Sequence, residues 1–492
     1  MSRMTASGSG AAIGRDAAVG VVWQMYGTAY LTICGYIVIV LLARSFGPAI
    51  FGVYGVIYSV LLATELLLRF GVPQALAKLI GGSTGANPSQ LQATGITLTL
   101  VINLAGFAVI WAVAPLLADS LNLTNGTWLF RIAALDIPFY GLYACLVNIL
   151  NGRRQFTITG LVSGAYGFTR VFGIIVLLMT DTLTIKGALI VNIAASVVGL
   201  VLLIRPAGMM QYRPSLVAKA GIIALAVPIA IGDFGFQMLL GIDLWLLNGL
   251  GTSIPADVKG DYVAALSLAR LPSVIVFVLT AVLVPSIARA LSGDDRAMAG
   301  RLVLGTTRFL MLIVLPVCAL VATSAWDLMT LLFSADYEPG ARYLVPLVFA
   351  QGLGYTFVGV FQAILIGAGA ALVAARRMYV ALAVAIIANL LLIPSLGAIG
   401  AAIAALISSA VAMMLTGLAV RQRVGVLLEL RSALLAPLLS VAVGLAGWFI
   451  PTTGLMVLVE FAGLAVAYLV IIWATGLIQA GDIALLRKPP AS

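Results

Sequence analysis

Fourteen runs of apolar residues, each long enough to cross a bilayer as a helix, follow one another along this chain with short polar gaps between them. They fall at about 18–43, 48–70, 92–117, 127–150, 157–180, 184–205, 220–248, 258–284, 302–324, 341–366, 378–394, 396–420, 432–450 and 454–478. A spanning helix needs about 20 apolar residues. Hydrocarbon offers the backbone no water, so only helices and closed barrels cross it, and runs of this length specify helices. Composition agrees, at 62% apolar and 9% charged over 492 residues, where an ordinary soluble domain is about 25% charged. The expected fold is an all-α polytopic membrane protein. Short gaps such as Pro394-Ser395 make helical hairpins.

Lysine and arginine mark the sides of the membrane. Of the 27 basic residues, twenty fall on one set of alternating loops and tails and only four, Arg44, Lys186, Lys259 and Arg342, on the other. The remaining three, Arg131, Arg170 and Arg270, sit within apolar runs. This asymmetry holds through the last loop, so both termini are expected in the cytoplasm. It also accounts for the net charge of +10 without nucleic acid as a partner.

Several chemistries are excluded. The chain has no histidine, hence no imidazole catalysis, metal ligation or proton relay. Cys34, Cys145 and Cys318 stand apart in apolar runs and read as small buried hydrophobes rather than a disulfide framework. No gap leaves room for a soluble catalytic or nucleotide-binding domain. The glycine-rich GGSTG at 81–85 lacks the lysine of a phosphate loop. No cofactor is expected beyond a coupling H⁺ or Na⁺. Two sequons, at Asn122 and Asn125, read as chance in a polar turn.

An internal repeat organises the runs. Val72-Pro73 through Lys78 matches Val284-Pro285 through Arg289; Gly52-Val-Tyr54 matches Gly260-Asp-Tyr262; and Lys186-Gly187-Ala188 through Ser196 matches Ile399-Gly400-Ala401 through Ser409. The offsets, 208 to 213 residues, cover six helices, so the two halves share one orientation and are related by an axis along the membrane normal. The expected organisation is a cytoplasmic tail (1–17), an N-lobe of helices 1–6 (18–206), a cytoplasmic linker (207–219), a C-lobe of helices 7–12 (220–420), helices 13–14 (432–478) and a C-terminal tail (479–492).

The stretch LLARSFGPAIFGVYGVIYSV and the later run LLLIPSLGAIGAAIAALISSAV resemble bacterial polysaccharide-biosynthesis flippases, of the multidrug/oligosaccharidyl-lipid/polysaccharide exporter superfamily. The resemblance covers essentially the whole chain, and its motifs are structural turns rather than catalytic signatures. It implies a V-shaped transporter in the bacterial cytoplasmic membrane, and with both lobes in one chain a monomer is expected. Such a transporter turns an undecaprenyl-pyrophosphate-linked oligosaccharide between leaflets by alternating access, alongside other polysaccharide-assembly proteins. The lipid II flippases of the superfamily resemble this chain less, because their arginine-rich N-terminal signature is not evident. Drug-extruding relatives usually have twelve helices. Two alternatives stay open: a cation-coupled exporter of small amphiphiles, and a membrane-embedded glycan polymerase or ligase. The glycan, and whether it is O-antigen, exopolysaccharide or another polymer, is not specified.

Ionisable groups at membrane depth cost about 2.5–3.5 kcal/mol each on insertion scales and mark function. Arg170 and Arg270 each lie roughly 18–20 Å along their helices from the nearer loop, at 1.5 Å per residue. One sits in each lobe, and they are expected to face a common cavity. With Arg131, nearer the outer end of helix 4, they are the candidates for binding pyrophosphate or acidic glycan, because arginine grips phosphate bidentately without losing its proton. Asp233 and Gln237 share a helix face. With Asp136 they are either a coupling-ion site or counter-charges to the arginines. Glu65 and Arg69, an i,i+4 pair, form a local ion pair or part of a cytoplasmic gate. Gln24, Tyr54, Tyr262, Gln351 and Gln362 are candidate cavity-lining groups.

Overall fold

The computed structural model describes residues 6–82, 87–123, 125–208, 216–251, 254–274, 283–284, 286–288, 290–291, 295–450 and 454–477, without the side chains of 6–22, 24, 25, 66, 67, 69, 70, 216–218, 228 and 229. The C-terminal tail from 479, the side chains of Gln24 and Arg69, and Pro285 and Arg289 of the repeat motif lie outside this set.

The described residues are predominantly helical, with no strand among them. In chain order the helices are α1 (Ala6–Phe70), α2 (Val72–Gly81), α3 (Pro88–Ser120), α4 (Gly126–Ala134), α5 (Asp136–Gly152), α6 (Phe156–Met179), α7 (Ile185–Ala207), α8 (Leu216–Leu250) and α9 (Ala256–Ala269). They continue as α10 (Arg296–Thr323), α11 (Ala325–Leu332), α12 (Ala341–Leu347), α13 (Tyr355–Gly367), α14 (Ala371–Leu396), α15 (Ala398–Val424), α16 (Leu430–Phe449) and α17 (Met456–Ala474).

Twelve described helical stretches are long and apolar enough to cross a membrane, against fourteen expected. Two places account for the difference. The expected spans 18–43 and 48–70 run into one another as α1, broken only by Gly47 at φ 68°, ψ 170°. The expected span 258–284 is described only in part, as α9 and the short turn Leu271–Val274. Helix is already present at Ala6, inside the stretch expected to be a tail.

Local signals set the helix ends. The Asn87 side chain accepts from the amide of Ser89 and opens α3, Thr184 accepts from Gly187 to open α7, and Asp295 accepts from Met298 to open α10. Each satisfies an amide that the first turn leaves without a partner. Two membrane segments are interrupted. Pro138 has no amide to give Ala134, and the chain turns at Leu135 between α4 and α5. In the second half, the turn Val348–Gly354 between α12 and α13 widens to a π-helix.

The chain divides into two compact units, Met1–Ser45 with Val53–Gln237, and Phe46–Gly52 with Met238–Ser492. The division falls inside α8, and α16 and α17 belong to the second unit. In the first unit, a core around Leu76, Tyr143, Ile149, Leu150, Ala195 and Leu203 joins α2, α5 and α7. Arg153 closes one end of it, donating to Gln92 of α3 and to the last carbonyl of α7, that of Ala207. In the second unit, Leu312 and Leu320 of α10 pack with Ala436, Val443, Tyr468 and Ile472 of α16 and α17. The segment Phe46–Gly52 also packs there: a Cβ on Gly52 would stand 2.8 Å from the Gly260 amide, so these repeat-related glycines permit backbone contact.

Candidate functional site

In the first unit, polar groups gather where the α4–α5 break lies. Asp136 is fully buried at the start of α5. One of its oxygens accepts from Asn192 of α7. Ser196, one turn further along α7, and Glu65 of α1 approach the same carboxylate, and the charge of Arg170 reaches it. Asp136 Oδ1, Asn192 Oδ1 and Ser196 Oγ have no hydrogen-bond partner among the described residues. Buried polar atoms are ordinarily bonded, so three unused oxygens around one carboxylate make a pocket of spare acceptor capacity.

Arg170, on α6, donates to the Tyr58 hydroxyl at 3.1 Å, and its guanidinium carbon lies 5.6 Å from the centre of the Tyr58 ring. Tyr58 stacks on Tyr54 at 5.6 Å. Tyr166, one turn before Arg170, stacks on Tyr143 at 5.1 Å. Tyrosine supplies both an apolar face and a hydroxyl, as sugar rings require.

The second unit builds a different network. Arg270 ends α9, half-buried. Its guanidinium donates to the Leu240 carbonyl of α8 and, at 3.4 Å, to Gln351 Oε1 on the wide turn. Gln351 Nε2 returns to the same Leu240 carbonyl. Beside it, Tyr262 donates to Asp243 at 2.6 Å, and Tyr355 pairs with Ser408 at 3.0 Å. Gln351 and Asp243 are each 1% exposed, so this network is interior.

Arg131 stands apart from both. Its guanidinium carbon lies 5.3 Å from the Trp111 ring centre and 5.7 Å from that of Trp128, and its Nε is buried without a hydrogen-bond partner. Trp128 is exposed, so this is an aromatic clamp near a helix end rather than a deep charge.

The other expected groupings are redistributed. Glu65, expected beside Arg69 at a gate, is buried next to Asp136; the Arg69 side chain lies outside the described set. Asp233 and Gln237 are half-buried on α8, and among the described residues neither forms a hydrogen bond or ion pair. They are not brought to Asp136, whose neighbours are Asn192, Ser196 and Glu65. Neither Arg170 nor Arg270 forms an ion pair with a described carboxylate; Arg308 and Glu429, at 3.1 Å, do. Tyr58, Asn192 and Ser196 were not among the expected site residues. Their signal is the helix break: polar residues beside interrupted spans at matching places in the two halves point to a binding site.

Comparison with known proteins supplies the family. The polysaccharide biosynthesis protein family matches residues 41–342. The chain belongs to this family. No curated protein matches it. Among solved structures, the lipid II flippase MurJ in an inward closed conformation superposes with a TM-score of 0.73 at 14% identity, covering 93% of this chain and all of that one. A multidrug-resistance MATE transporter of the MOP superfamily gives 0.69 at 15% identity, covering 80% and 94%. A MOP-superfamily transporter from Pyrococcus furiosus gives 0.64 at 15%, covering 82% and 94%. These likenesses establish that this family member has the MOP-superfamily fold. The lipid II flippase, expected to be the less similar branch, shares that fold over nearly the whole chain, because helix arrangement outlasts a short N-terminal signature.

Proposed function

We propose that this polysaccharide biosynthesis protein is a flippase for an undecaprenyl-pyrophosphate-linked oligosaccharide, working as a monomer by alternating access in the bacterial cytoplasmic membrane. The observation that carries the reading is the company its deep arginines keep. Arg170 is held by a phenol and a ring face, and Arg270 by a carbonyl and an amide oxygen. These direct partners are neutral, and the buried carboxylates within electrostatic reach, Asp136 of Arg170 and Asp243 of Arg270, form no ion pair with these arginines. A guanidinium buried among neutral acceptors keeps its positive charge available to an anion, whereas one in a carboxylate pair has spent it. Pyrophosphate offers that anion, with oxygens spaced for a bidentate grip. The stacked tyrosines beside Arg170 suit the attached sugars.

In this reading Arg170 and Arg270 bind the pyrophosphate or an acidic glycan, and Arg131 meets the ligand near its exit. Asp136, with Asn192 and Ser196, takes the coupling H⁺ or Na⁺, since three unused oxygens around a buried carboxylate suit either. Asp233 and Gln237 are a separate candidate pair for coupling. The lobe and tail boundaries at 18–206, 220–420 and 432–478, and cytoplasmic termini, are part of the same proposal.

The MATE likeness favours one other reading, a cation-coupled exporter of small amphiphiles. Depleting the protein and probing lipid-linked oligosaccharide with an impermeant glycan-modifying reagent separates them. A flippase leaves precursor protected on the cytoplasmic side. An exporter leaves precursor distribution normal and changes drug efflux, and a polymerase or ligase leaves unassembled precursor accessible outside.

A further inference from the structure

The second unit carries a groove of about 280 Å³ whose lining is wholly apolar. Phe357 and Phe361 of α13 form its floor, both nearly inaccessible. Met311 of α10, Met414 and Leu418 of α15, and Leu428 of the strap between α15 and α16 form its walls. Met414, Leu418 and Leu428 are 56%, 44% and 44% exposed, so the groove opens at the protein surface. Such a groove, in a chain that spans a membrane, faces hydrocarbon. An apolar cavity of about 150 Å³ holds a benzene-sized molecule, so this one takes a length of alkyl chain. Methionine thioethers on both walls adapt to an irregular chain.

One end of the groove is charged. Arg421 lies three and four residues beyond Leu418 and Gly417 on α15, the spacing of one helix face, and Arg423 follows in the same last turn; both are exposed. Across the groove, Arg308 lies one turn before Met311. Thr307 donates to the carbonyl of Leu427 at 2.9 Å and fixes the strap to α10. Glu429 is the acid there, and it is already engaged by Arg308 at 3.1 Å and Ser432 at 3.0 Å. Arg431 adds a further cation, donating to the Thr475 carbonyl at 2.7 Å. The groove end is therefore net positive.

We propose that this groove is a binding site for an anionic phospholipid, with one acyl chain along Phe357, Phe361 and Met414 and the headgroup phosphate at Arg421. The bound lipid would fill the space between α10, α13 and α15 beneath the strap. The site is distinct from the Arg270 network, which shares none of its residues.

Native mass spectrometry of the full-length protein in detergent tests this, with phosphatidylglycerol and phosphatidylcholine of identical acyl chains as probes. Phosphatidylglycerol should be retained about five-fold better, since one arginine near a headgroup contributes about that much. Arg421→Gln should erase that preference. Met414→Trp, which fills the groove, should weaken both lipids, while Leu434→Trp on the exposed face of α16 should leave them unchanged; monodisperse elution checks folding of each variant. Equal retention of the two lipids by the wild type, or retention untouched by both Arg421→Gln and Met414→Trp, overturns the proposal. Displacement of phosphatidylglycerol by an equal concentration of a polyprenyl pyrophosphate, or a dimer that excludes lipid, overturns the assigned occupant.

Discussion

The two repeat-related halves interrupt the same helix and use the interruption differently. In the first, the chain breaks at Leu135 and sets the carboxylate of Asp136 into the interior, with Asn192 and Ser196 above it. In the second, the wide turn Val348–Gly354 presents an amide, Gln351, which is spent on fixing Arg270 to the Leu240 carbonyl. Both halves leave one carboxylate oxygen without a hydrogen bond, Asp136 Oδ1 and Asp243 Oδ1, but the first adds Asn192 Oδ1 and Ser196 Oγ around it and holds its arginine by the Tyr58 phenol. The second half is cross-tied: its arginine, its glutamine and α8 share one carbonyl. The lesson is that a duplicated scaffold can give one half an adjustable polar site and the other a braced one.

The largest effect expected from this contrast is on transport by the arginine variants. Arg170→Ala and Arg270→Ala should each lower flipping about 10–100-fold, the loss of charge-assisted hydrogen bonds worth about 1.5–3 kcal/mol. Only Arg270→Ala should also lower the melting temperature, because only Arg270 is a brace. Arg170→Lys should recover part of the activity. Equal destabilisation by the two alanine variants in a thermal-shift assay breaks the comparison.

Next in size, Tyr262→Phe leaves the buried Asp243 oxygen without its donor and should cost about 1–3 kcal/mol of stability, read as a lower midpoint in detergent. Its repeat partner Tyr54 stacks on Tyr58 and its hydroxyl meets Arg170, which keeps its bond to Tyr58 when the Tyr54 hydroxyl is removed, so Tyr54→Phe should cost less. Asp136→Asn should flatten the dependence of transport on the proton or sodium gradient while leaving the fold intact. Asp233→Asn is the control: if it alone flattens that dependence, coupling resides on α8. Tyr58→Phe removes one neutral hydrogen bond to Arg170 but keeps the ring face, and should slow flipping about two- to five-fold, in line with about 0.5–1 kcal/mol. Smallest of all, Trp128→Phe keeps an aromatic face under Arg131 and should change transport less than two-fold.

Much of this was legible in the residues. Apolar run length and arginine placement give a polytopic helical chain, and the motif pairs around Tyr54 and Tyr262 expose the duplication. The deep charges were equally visible, since a charge in a hydrophobic run stands out one residue at a time. Their partners were not. Asn192, Ser196 and Tyr58 are unremarkable in their own helices and acquire meaning only where α1, α5, α6 and α7 meet. Glu65 and Arg69 read as a pair because they lie four apart; the approach of Glu65 to Asp136, a residue 71 positions away, has no such local signature. Pro138 and Pro346 carried the clue to the breaks, because a proline in a span frees backbone and marks where polar side chains are wanted.

The most direct test of the central claim is leaflet accessibility of lipid-linked oligosaccharide in depleted cells complemented with wild type, Arg170→Ala or Arg270→Ala. An impermeant glycan-modifying probe should label precursor with the wild type and leave it protected with both arginine variants, although all three proteins insert equally. Labelling at the wild-type rate in both variants would contradict the account, for it would mean that the two deep arginines do not carry the substrate across.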